Sequence, residues 1–94
     1  MNEMTSAFRK ELSALAHELK PVVIIGQSGL TDGVIGKIEE SLTAHELIKV
    51  KFLEFKEEKQ SLTDQICSTC SAQLVRIIGN IAILYRKNPE KKEK

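Results

Sequence analysis

The stretch Val22-Val23-Ile24-Ile25-Gly26-Gln27-Ser28-Gly29-Leu30-Thr31-Asp32 decides the fold. Four consecutive β-branched residues favour a strand, and an unbroken run of this kind is the pattern of a strand buried on both faces or central in a parallel sheet. Gly26 stops it. Thr31 can then cap a helix whose first residue, Asp32, sets a carboxylate at the positive end of the macrodipole. Val34, Ile35, Ile38 and Leu42 follow at helical spacing and give that helix its apolar stripe. A strand, a glycine turn and a helix in direct succession begin a strand-helix-strand crossover, which favours parallel neighbours joined right-handedly.

On the N-terminal side, Phe8, Leu12, Leu15 and Leu19 form one stripe of an amphipathic helix. Thr5 or Ser6 can cap it, and Lys20-Pro21 ends it, because proline disfavours the α conformation before it and has no backbone N–H of its own. On the C-terminal side, residues 47–55 alternate, with Ile48, Val50 and Phe52 on one face and Lys49 and Lys51 on the other. That is a half-exposed strand with two lysines sharing a face. An acidic connection from Glu54 to Gln60 leads to Leu62, Ile66, Cys67 and Cys70, which predict a third helix capped by Ser61. Residues 74–78 and 81–86 are β-rich runs joined by Gly79-Asn80, a pair that permits the positive φ angles of a tight hairpin. The predicted order is α-β-α-β-α-β-β. The fold class is therefore α+β, a mixed four-stranded sheet with helices packed on it.

A chain of 94 residues supports one domain, here 1–88, and residues 89–94, made of Pro, Glu and Lys alone, read as a flexible charged tail. The content, 41% hydrophobic and 29% charged, fits an ordinary globular domain, and no segment approaches the roughly 20 apolar residues of a membrane span. The first residues have neither a basic region nor an apolar run of the kind that directs secretion. A cytoplasmic monomer without a membrane partner is expected. The net charge is +1, but it is unevenly spread. Between Lys59 and Asn88 the only acid is Asp64, against Lys59, Arg76, Arg86 and Lys87, so a local phosphate-binding face is permitted on a nearly neutral molecule.

The loop Gly26-Gln27-Ser28-Gly29 lies between a strand and a helix N-terminus, where unpaired N–H groups favour an anion and glycines let a phosphate backbone come close. It lacks the Gly-Lys-Ser/Thr of a mononucleotide loop and the glycine spacing of a dinucleotide fingerprint. A G-x-x-G in this place does match the way KH domains clamp single-stranded nucleic acid. By itself it can equally be a tight turn. Gly33 and Gly36 cost helix stability, and close packing of that helix on the sheet is the expected reason. Cys67-x-x-Cys70 has no second cysteine pair to complete a zinc site, and both thiols fall on the apolar stripe, so they read as core. No catalytic constellation has a supporting local signature, and no enzyme, cofactor or metal is expected. Tyr85 is the sole candidate for base stacking, which leaves phosphates and backbone shape as the means of recognition.

Several blocks then fall into one register. They are Leu15-Ala16-His17-x-Leu19-Lys20-Pro21-Val22-Val23, Gly26-x-x-Gly29-Leu30-Thr31, His45-Glu46-Leu47-Ile48-Lys49-Val50-Lys51, and Ile77-Ile78-Gly79-Asn80 running to Leu84-Tyr85-Arg86. Over roughly residues 7 to 87 this resembles the YhbY-like CRM-domain family, bacterial stand-alone type. The resemblance implies an RNA-binding domain whose fold looks like the C-terminal domain of translation initiation factor three, with a KH-like glycine loop. Stand-alone bacterial members associate with precursors of the large ribosomal subunit, while multi-domain plant relatives assist organellar intron splicing. By resemblance, RNA contacts fall at Gly26, Gln27, Ser28, Gly29, Lys20, Lys49 and Lys51, and more weakly at Arg86. Large-subunit rRNA in a pre-ribosomal particle is the implied partner. A protein-interaction module docking on a ribosomal protein or assembly factor is the alternative, with the glycine loop only a turn.

Overall fold

The computed structural model describes residues 4–87, so the tail expected at 89–94 lies outside the described residues. The chain runs α1 (Ser6–Ala16), β1 (Val23–Ile25), α2 (Asp32–His45), β2 (Leu47–Phe52), a single 3-10 turn (Lys56–Glu58), α3 (Lys59–Cys70), β3 (Gln73–Ile78) and β4 (Ile81–Tyr85). The four strands form one mixed sheet in the order β1-β2-β4-β3. β1 pairs parallel with β2, whereas β4 pairs antiparallel with both β2 and β3. The α+β class and the order of elements are as predicted. The second crossover, however, does not end beside its starting strand. The tight Gly79-Asn80 hairpin, with Gly79 at φ +59°, folds β4 back between β2 and β3, so those two strands are parallel without touching.

α2 and α3 cover one face of the sheet. Val23 and Ile25, Ile48, Val50 and Phe52, Ala82 and Leu84 meet Ile38, Leu42, Ile66 and Cys70 there in a single buried cluster. Burying a side chain of this size contributes about 1.5–3 kcal/mol, so this cluster dominates stability. The sequence alternation of β2 is realised: Ile48, Val50 and Phe52 are buried, and Leu47, Lys49 and Lys51 point to the opposite face.

On that opposite face α1 covers only part of the sheet, packing Leu12 and Ala16 against Val75 and Ile83. Arg9 fixes the helix by donating from Nη1 to the carbonyls of Leu74 (3.1 Å) and Val75 (2.9 Å). These two residues sit where the β3–β4 register slips between Leu74 and Arg76, leaving Val75 unpaired in the ladder.

Several expectations are corrected. β1 is an edge strand of three residues, not a central one; its Ile24 is 53% exposed, because the face it points to carries no helix at that edge. The stripe of α1 is shifted. The helix ends at Ala16, Leu19 lies beyond it, and Leu15 is exposed while Ala16 is buried. β2 stops at Phe52 rather than residue 55, and α3 begins at Lys59, so Ser61 is inside its first turn and does not cap it. Gly33 and Gly36 are not in close helix-to-sheet packing. Both are exposed, and a side chain added at Gly36 would meet nothing within 4 Å.

Candidate nucleic-acid interface

The turn after β1 is closed by one hydrogen bond, from the amide of Gly29 to the carbonyl of Gly26 at 3.1 Å, which leaves Gln27 and Ser28 exposed at its corners. The amides of Gln27 and Ser28 find no partner among the described residues. The carbonyl of Ile25 accepts from the amides of Leu53 (3.0 Å) and Glu54 (3.3 Å), so the chain leaving β2 steadies the turn from beneath.

Its two glycines do different things. Gly29 is buried at φ +70°, in the left-handed region that side chains disfavour, and a Cβ there would lie 3.5 Å from the ring of Phe55. The fold itself therefore favours glycine at 29. At Gly26 neither condition holds: its φ is not positive, and a Cβ would meet nothing within 4 Å. No neighbour in the fold calls for glycine at 26, whereas close approach of a partner's backbone would.

The helix end beyond the turn is already occupied. Thr31 Oγ1 accepts from the amide of Val34 at 3.1 Å, and Asp32 sets its own carboxylate in the first turn. An incoming phosphate is thus better served by the free amides of the turn than by the helix terminus.

The structure divides the charged residues singled out from the sequence. Lys51 stands opposite Ile24 of β1, two residues before the turn, and finds no partner among the described residues. Lys49 is on the same face, but its Nζ donates to the carbonyl of Leu19 at 3.0 Å, tying the end of the α1 connection to β2. Lys20 is exposed beyond the other end of β1, no more than about 20 Å from Gly26 along the chain. Arg86 is drawn into the opposite layer. Its guanidinium pairs with Glu39 Oε1 (2.8 Å) and donates to the Cys70 carbonyl (2.9 Å) and Thr43 Oγ1 (2.9 Å), joining α2 and α3 to the end of β4. Lys59 is likewise engaged, with the Gly79 carbonyl and Asn80 Oδ1. Of the basic cluster seen in the sequence, Arg76 and Lys87 remain exposed.

Two further sequence candidates are engaged in packing. Tyr85 meets Phe8 edge-on, ring centres 5.4 Å apart, in the cluster beneath α1 and away from the turn. Cys70 is buried and Cys67 half-buried beside it, and both are free thiols. Burial first, then the nearby Asp64 and Cys70, pushes the Cys67 thiol up to about 11. Burial and then Glu39 raise Cys70 as well. Neither has the lowered pKa of a reactive thiolate. Among the described residues no group of three His, Cys, Asp or Glu is placed to hold a metal, and no helix is long and apolar enough to cross a membrane.

Fold and site together define a small α+β domain that presents an exposed glycine turn beside a partly bare, lysine-bearing sheet face. Residues 4–86 match the model of the CRS1 / YhbY (CRM) domain. The chain is 42% identical over 93 residues to the "RNA-binding protein" of Haemophilus influenzae, covering 98% of this chain and 94% of that protein. It is 41% identical over 88 residues to "Probable RNA-binding protein PA4753" of Pseudomonas aeruginosa, covering 93% and 85%. The solution structure of hypothetical protein SAV1595 from Staphylococcus aureus superposes with a TM-score of 0.82 at 32% identity, covering 97% of this chain and 96% of that one. The chain belongs to the CRS1 / YhbY (CRM) domain family.

Proposed function

We propose that this chain binds RNA through the 26–29 turn, and that its RNA is large-subunit ribosomal RNA in a maturing particle. The observation that carries the reading is Gly26, a glycine the fold does not require, on an exposed turn whose corner amides are free. Relatives sharing about two fifths of the sequence bear the name RNA-binding protein, which supports the same reading. The turn has no charge of its own, so it positions a phosphate backbone while Lys51, and Lys49 less strongly, supply attraction. The domain acts in the cytoplasm as a monomer, without catalysis. Gln27 and Ser28 donate through main-chain amides, Gly29 keeps the turn's shape, and Lys20 and Arg86 act outside the contact.

A salt titration of binding to ribosomal RNA fragments tests this. Lys51→Ala lowers the slope of log K against log salt by about 0.7–0.9, the value of one phosphate contact. Lys49→Ala lowers it by less, since that ammonium is shared with a carbonyl. An unchanged slope for Lys51→Ala refutes the placement. Association that survives nuclease and follows ribosomal proteins instead supports the protein-interaction alternative.

A further inference from the structure

The part of the sheet that α1 leaves bare carries a row of residues running through all four strands. Ile24 stands opposite Lys51, Lys51 opposite Ile81, and Ile81 opposite Ile78. Three inter-strand steps make the row about 14 Å long. Its ends are open: Ile24 is 53% and Ile78 54% exposed. Leu53, 49% exposed, is the first residue after β2. One pair further along, Arg76 stands exposed opposite Ile83, which itself faces Lys49. Among the described residues no strand position on this face carries a carboxylate. An aliphatic floor crossed by cations and free of acids is complementary to an anion with apolar surface of its own.

We propose that this bare face binds single-stranded RNA that continues from the glycine turn, with bases and riboses against Ile24, Ile81 and Ile78 and phosphates drawn to Lys51 and Arg76. It rests on the RNA-binding reading above and extends it from a turn to a track. Continuity is built into the chain, because Ile24 lies two residues before Gly26 and the amide of Leu53 is bonded to the carbonyl of Ile25. A single strand fits where a duplex does not, since paired bases are turned inward and offer an aliphatic surface little contact. With isoleucines in place of aromatic rings, the track gives contact without strong stacking, so base preference on it is weak.

The test uses the whole chain, an oligouridylate of about 12 nucleotides and an RNA duplex of about 16 base pairs. Melting temperature serves as the control for folding; both isoleucines are more than half exposed, so their replacement leaves it near the wild-type value. Ile24→Ser with Ile78→Ser weakens oligouridylate binding roughly fivefold without changing the salt slope, and Ile24→Glu with Ile78→Glu weakens it more than about tenfold. Arg76→Ala lowers the single-strand salt slope by about 0.7. Duplex binding is unmoved by the serine pair. If the wild-type chain binds the oligonucleotide, Gly26→Ala weakens it and the serine pair does not, the track is overturned while the turn stands. Loss with the glutamates alone is repulsion at a distance and also overturns the track. An acidic peptide that binds this face without competing with RNA does so too. A wild-type chain that binds neither RNA removes the underlying reading along with the track.

Discussion

Replacing each glycine of the turn by alanine separates structure from recognition. Gly29→Ala forces a side chain into the left-handed region at φ +70°, which costs about 1–2 kcal/mol. Its new methyl, 3.5 Å from the Phe55 ring, is in ordinary contact and adds no clash. For a domain of this size each kcal/mol moves Tm by roughly 4–8 °C, so a fall of about 4–16 °C is expected. Gly26→Ala meets no neighbour and no positive φ. It restricts the unfolded chain more than the folded one, so stability holds or rises by up to about 1 kcal/mol. In the proposed complex the same methyl would stand between the turn and the RNA backbone, and the expected loss of affinity is about tenfold or more, the equivalent of about 1.4 kcal/mol. Thermal melts and equilibrium RNA binding on the two purified variants read both quantities. If Gly26→Ala unfolds more easily than wild type by more than about 1 kcal/mol, the glycine is a structural requirement and the inference from its open surroundings fails.

Arg86→Ala removes an ion pair and leaves the Cys70 carbonyl without its charged donor, so urea denaturation shows a loss of about 2 kcal/mol while RNA affinity is unchanged. Arg86→Lys recovers only part of this, because an ammonium cannot reproduce the planar fork that reaches Glu39, Cys70 and Thr43 together. For Cys67 the folded thiol ionises near 11 against an ordinary value of 9.0. The unfolded chain therefore releases its proton first, and this thiol's contribution to stability is complete below about pH 9 and is lost as pH rises toward 11. Native-state alkylation followed by mass spectrometry finds Cys67 slow to react at neutral pH; rapid labelling there contradicts its half-buried, protonated state.

The elements were legible where one force decided them. The strand expected at 22–25 and found at 23–25, its glycine stop and the Thr31 cap follow from β-branching, backbone freedom and a side-chain hydroxyl, all local properties. What local pattern could not supply was the neighbour. The run Val23-Ile24-Ile25 has the composition of a central strand, but the hairpin at Gly79-Asn80 inserts β4 beside β2 and leaves β1 at the edge. Helix ends without a glycine were equally hidden: α2 and α3 terminate at Glu46 and Ser71 with positive φ, a conformation these residue types do not announce. The turn as a structural element was legible, and the partners of the cations around it were not. Whether a lysine or arginine is free depends on carbonyls and carboxylates far off in sequence, and Arg86 and Lys59 are consumed by such partners while Arg76 finds none among the described residues. Phe55, which closes over Gly29 from a position with φ +59°, gave no signal beyond being an aromatic residue in an acidic connection.

The proposed complex sets an RNA backbone against the 26–29 turn. Ultraviolet crosslinking in cells expressing the wild-type chain or Gly26→Ala, followed by sequencing of the bound RNA, measures it most directly. A recurring footprint on large-subunit ribosomal RNA is expected, depleted in Gly26→Ala at equal protein abundance. The same footprint at the same strength in both, or no RNA recovered with the wild-type chain, contradicts it.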